Sequence, residues 1–107
     1  MTRQLIKAVA LESTLLLSRD DFVAACEHWE EAVKVAPLHE ETWFAFGYAA
    51  VKKGDYDRAL QAFSRSVQLE PTNAEALNNI AAIHIQRGNL QPAFVALQVL
   101  VSCLILF

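Results

Sequence analysis

The chain has 107 residues, 54% of them hydrophobic and 20% charged, which suits one compact globular domain and excludes a disordered tail. Its formal net charge is −3, and no run of lysine or arginine occurs, so the clustered basic surface that nucleic-acid binding needs is missing. With two cysteines, Cys26 and Cys103, there is no disulfide framework, and the composition points to a reducing compartment, the cytoplasm or the nucleus.

At the N-terminus Arg3 and Lys7 precede an apolar stretch, but Glu12 interrupts it and no small-residue cleavage site follows. The stretch reads as a helix with Val9, Leu16 and Leu17 inward, not as a leader. Asp20, Phe22, Ala25, Trp29 and Pro37 follow at spacings that return 34 residues later. Ala25, Ala59 and Ala93 share one column; Asp21, Asp55 and Asn89 share another; Val33, Val67 and Val101 share a third. Cys26 falls in the column of Leu60 and Phe94, which marks it as a small core residue.

The middle copy carries the pattern most fully. A helix from about His39 to Lys52 puts Trp43, Phe46 and Ala50 on one face. Gly54 can close it in the left-handed conformation, and Asp55 can cap the next helix. That helix carries Tyr56, Ala59, Leu60, Phe63 and Val67 inward, and Pro71 stops it. Gly88 and Asn89 repeat the stop and cap in the last copy. From Pro92 to Phe107 the only strongly polar side chain is Gln98, and Val95 and Val99 stand where Gln61 and Arg65 face water one copy earlier. This predicts an atypical, apolar ending: an association surface at Val95 and Val99 for a second copy or a partner, or a face that further repeats of a longer array would cover. The competing expectation is a membrane-associated segment over residues 92–107, although 16 helical residues rise only ~24 Å.

Trp43, Phe46, Gly47, Gly54, Tyr56, Ala59, Phe63 and Pro71 follow the pattern W-x2-L-G-x2-Y, A-x3-F, P, with Ala50 in the last aromatic slot. On these residues the chain resembles the tetratricopeptide repeat family. The resemblance implies an all-α fold, a right-handed superhelical stack of about three helix-turn-helix units (an α-solenoid). One domain over residues 1–107 would contain repeats at about 6–37, 40–71 and 74–107. It also implies a scaffold that binds other proteins. The stretches Thr42–Gly47, Arg58–Pro71 and Asn73–Ile85 further resemble tetratricopeptide repeat protein 27 and its fungal and plant relatives, which implies a piece of a longer intracellular protein.

No catalytic or cofactor constellation is visible. His28, His39 and His84 lie in different repeats without a second metal ligand at i+3 or i+4, and none of the three glycines belongs to a phosphate loop. Neither an enzyme, a cofactor nor a metal is expected; a hydrolase built on His84 is the rival that activity measurements would exclude. What remains is the concave face, lined by the first helix of each pair. Its candidates are Glu41, Phe44, Tyr48, Val51 and Lys52 in the middle repeat, and Glu75, Asn78, Asn79, Ala82, Ile85 and Gln86 in the last. Phe44 and Tyr48 offer an aromatic platform for an apolar anchor, or pack within the stack; Asn78 and Asn79 can bond an extended peptide. In the family's carboxylate clamp for chaperone tails Asn79 matches an asparagine slot, whereas Phe44 and Tyr48 replace the required lysine and asparagine, so that clamp is not carried over.

Overall fold

The computed structural model describes residues 19–106, and every regular element among them is a helix. These are α1 (Arg19–Val35), α2 (Glu40–Lys53), α3 (Tyr56–Leu69), α4 (Ala74–Gln86) and α5 (Leu90–Leu106). Each packs against the next in chain order, and α3 touches both α2 and α4. The result is an all-α solenoid in which α2–α3 and α4–α5 are hairpins. The first helix predicted for repeat 1, with Val9, Leu16 and Leu17, lies outside the described residues.

The turns arise from local chemistry. Gly54 takes φ 95°, and its amide bonds back to the carbonyls of Ala50 and Val51. The Asp55 carboxylate then accepts the amide of Arg58 at 3.2 Å, satisfying one of the orphan donors at the start of α3. Gly88 repeats the left-handed turn with φ 76°.

The core is built of aromatic rings set against small residues. On α1, Phe22, Cys26, Trp29 and Val33 recur at helical spacing, and all are buried. Across the α2–α3 hairpin, Ala45, Phe46, Ala49 and Ala50 meet Ala59, Ala62 and Phe63. Phe63 lies directly over Gly47: a Cβ added there would sit 2.8 Å from its ring. Trp43 is half-buried and its indole donates to the Pro37 carbonyl at 2.8 Å, tying α2 to the preceding turn.

One polar corner joins the two hairpins. Glu40, at the start of α2, accepts from Ser66 Oγ of α3 at 2.6 Å and from the Asn73 side-chain amide. Asn73 also caps α4 by accepting the amide of Ala76 at 3.0 Å. Ser66 is fully buried, so its hydroxyl depends on this partner.

In α5 the structure departs from the sequence pattern. Phe94, Leu97 and Val101 occupy columns that are inward in α3, yet they are 57%, 36% and 52% exposed. Ala93 and Ala96 are the buried residues of this helix, because α5 packs on α4 along its small-residue edge. No helix among the described residues is long and apolar enough to cross a membrane.

Two stability predictions follow from these contacts. Gly47→Ala should destabilise the fold by ~1–3 kcal/mol in urea unfolding, because the new methyl overpacks the buried Phe63 ring. Asn73→Ala should cost ~1–2 kcal/mol through loss of the cap and of a Glu40 donor. Asn73→Asp keeps the cap acceptor but sets a second carboxylate against Glu40 where the amide donated to it, and should cost at least as much as Asn73→Ala.

Candidate functional site: the face of α2 and α4

The 34-residue period puts the predicted groove residues in matching columns of two equivalent helices: Glu41 with Glu75, Phe44 with Asn78, Tyr48 with Ala82, Val51 with Ile85, and Lys52 with Gln86. The starts of α2 and α4 are held together by the Glu40–Asn73 bond. Their surroundings differ sharply between the two helices.

On α2 the face is largely committed to packing. The ring of Phe44 is half-buried against Phe63 of its own hairpin, with centroids 5.5 Å apart, and Val51 also leans on the core. Phe44 is therefore a wall of the hairpin. Glu41 is half-buried. Tyr48 is half-buried too, and the Lys52 ammonium stands over its ring, 5.3 Å from the centroid. That contact leaves a cationic tip above an aromatic surface.

On α4 the same columns are open. Glu75, Asn78, Ala82, Ile85 and Gln86 are exposed, and Asn79 is half-buried. The Gln86 side-chain amide donates to the Tyr56 hydroxyl at 3.4 Å, which links the end of α4 to the start of α3. Arg87 reinforces the same joint through an exposed ion pair with Asp57 at 2.8 Å. α4 thus presents a carboxylate, two amides and an apolar side chain to solvent, and α2 presents the Tyr48–Lys52 pair. Val95 and Val99 lie on α5, both partly exposed.

Sequence reasoning missed a cleft at the opposite joint. A space of about 280 Å³ is lined by His28, Glu31, Ala32 and Val35 of α1, by Ala36 and His39 of the turn, and by Thr42 of α2. His39 Nδ1 and Thr42 Oγ1 lie 2.9 Å apart. The columns explain the cleft. Ala32 stands where Ser66 stands one unit later, and His39 stands where Asn73 does, so the polar corner around Glu40 is not repeated here.

The candidate chemical groups do not converge. Among the described residues no cluster of three His, Cys, Asp or Glu side chains could hold a metal ion. His84 is half-buried. Cys26 is 1% exposed, and burial pushes its thiol above the ordinary range, while Cys103 is half-buried with its sulfur 3.5 Å from the Pro71 carbonyl; no disulfide joins the two.

Helix hairpins that repeat at 34 residues and pack side by side define a helical-repeat solenoid. The family model for the TPR repeat matches residues 47–88. Over 84 residues the chain is 34% identical to the tetratricopeptide repeat-containing protein trd-1 of Caenorhabditis elegans, covering 78% of this chain and 11% of that protein. It is 28% identical over 86 residues to the Essential for maintenance of the cell wall protein 1 of Saccharomyces cerevisiae, covering 80% and 10%. It is also 29% identical over 79 residues to the Peroxisomal targeting signal receptor of the same yeast, covering 74% and 13%. The chain belongs to the tetratricopeptide repeat family, and it spans about a tenth of the length of these relatives.

The burial contrast between the cysteines gives a direct test of the packing. In the native protein Cys103 should react with a thiol reagent well before Cys26, which should become reactive only on unfolding. Because burial raises the Cys26 pKa, its contribution to stability is complete below the unfolded thiol value and declines as pH rises above that value.

Proposed function

We propose that this chain is a non-catalytic scaffold that holds a peptide or partner protein on the face formed by α2 and α4. The observation that carries the reading is the contrast between the two helices. In the columns that pack Phe44 and Val51 against the core on α2, α4 leaves Asn78 and Ile85 open to solvent. A row of exposed, chemically mixed side chains on a rigid helix is a recognition surface, because its geometry is fixed before a ligand arrives.

The side chains suggest the ligand. Asn78 offers an amide donor and acceptor to an extended backbone. Ile85 and the Tyr48 ring offer apolar contact, Glu75 attracts a basic residue, and Lys52 attracts an acidic one. A peptide carrying a basic and an apolar side chain fits this order along α4. The peroxisomal targeting signal receptor among the relatives is by its name a receptor for a targeting signal, which supports protein recognition by this kind of stack.

A displayed random-peptide library panned against the purified chain tests the reading. Enriched peptides should lose at least tenfold in affinity on Asn78→Ala or Lys52→Glu, and should be unaffected by Gln68→Ala on the outer face of α3. Absence of enriched peptides, or equal sensitivity to Gln68→Ala, would overturn it.

A further inference from the structure

The cleft between α1 and α2 occupies the place that the Glu40 corner occupies one unit later. In that corner Glu40 accepts from Ser66 Oγ at 2.6 Å and from the Asn73 side-chain amide, and Ala62, Ser66 and Ala76 are fully buried. The residues 34 positions before Ala62, Ser66, Asn73 and Ala76 are His28, Ala32, His39 and Thr42, and all four line the cleft of about 280 Å³. Columns that close around a side chain in one unit thus border a space in the other. Their exposure differs accordingly: His28 is exposed and Ala32 half-buried.

We infer that the cleft is the seat of Ile6, so that residues 6–10, which lie outside the described residues, cover it as residues 40–44 cover the later corner. Ile6 stands 34 positions before Glu40, the residue that fills that corner. The chemistry of the walls fits the exchange. Where Ser66 donates to a carboxylate, Ala32 has no hydroxyl, and His39 in the Asn73 column engages Thr42 Oγ1 through Nδ1 at 2.9 Å. Ala32, Val35 and Ala36 make the rest of the lining mostly apolar. A carboxylate there would lose its water without the hydroxyl that Glu40 gains, whereas an isoleucine side chain is stabilised by leaving water. Polar meets polar in one corner and apolar meets apolar in the other, so a buried contact changes without orphaning a group.

Two further pairs of columns change in step. Phe44 and Ala62 become Ala10 and His28, so the bulk crosses from one column to the other; Glu41 and Arg65 become Lys7 and Glu31, so the signs reverse together. His28 and Glu31 both line the cleft, which puts these changes at its wall. A space matched in size, polarity and charge by a segment of the same chain is one that stacking fills. The inference does not depend on the reading of the α2–α4 face, but it extends that face: Lys7 and Thr14 fall in the columns of Glu41 and Tyr48.

Thiol labelling of the full chain reads the seat directly. In a Cys103→Ser background, with Cys26 buried, Ile6→Cys should react with a maleimide about tenfold more slowly than Gln4→Cys, whose column is that of the exposed Leu38. Urea unfolding reads the chemistry. Ile6→Glu should lower the midpoint, and Ala32→Ser with His39→Asn, which rebuilds the Glu40 corner, should raise it again. That pair should raise the midpoint by more in the Ile6→Glu chain than in the wild type, so that the coupling and not a new cap on α2 is measured. Equal labelling of the two cysteines would leave the cleft open to a ligand or a partner, and an unchanged midpoint for Ile6→Glu, or an equal effect of the pair in both chains, would seat another residue there; each result overturns the proposal.

Discussion

The seat of the Phe63 ring on Gly47 is the contact from which the rest of the stack takes its geometry. The ring is fully buried and fills the space that a Cβ at Gly47 would need, so α2 and α3 meet at a separation that only glycine permits. Ala45, Ala49, Ala50, Ala59 and Ala62 extend that close approach along the hairpin. Since α3 is the helix that packs on both α2 and α4, its seat on α2 determines how α4 is presented. The face proposed for recognition therefore inherits its spacing from a contact on the other side of the helices that carry it.

Hairpins alike in their interiors are joined differently. At the joint of α2, α3 and α4 one carboxylate, Glu40, collects the buried Ser66 hydroxyl and the capping Asn73. Such a group is stable only because each partner is satisfied, and it specifies one arrangement of three helix ends. At the joint between α1 and α2 the same columns hold Ala32 and His39, and the His39–Thr42 contact borders a cleft. Tight approach within units and variable chemistry between them let each unit keep its core while its joints differ.

The division follows what a periodic pattern can encode. The hairpins were legible because Gly54, Asp55, Ala59 and Phe63 act within their own unit, and the left-handed turn and the cap appear where the pattern puts them. Cys26 was legible as core for the same reason. The Glu40 corner was not: its bonds span 26 and 33 residues, and position 40 alone reads as an acidic residue favouring a helix start. For Phe44, the pattern gives its column but not whether the ring turns outward or onto Phe63. Exposure on α5 was least legible of all, since a column is inward only when another helix covers it.

The last hairpin shows how two changes in the seat alter an outer surface. In the columns of Gly47 and Phe63 it has Ala81 and Leu97. Ala81 is buried and carries the Cβ that Gly47 lacks, so the space that receives the Phe63 ring is already taken. Leu97, shorter than phenylalanine, is 36% exposed where Phe63 is 0% exposed. With alanines at 93 and 96 making the contact to α4, the bulky side chains of α5 fall on its other flank. The choice that packs α5 on its small edge is thus the same choice that lines up Leu90, Phe94, Leu97, Val101 and Leu104 along an open seam.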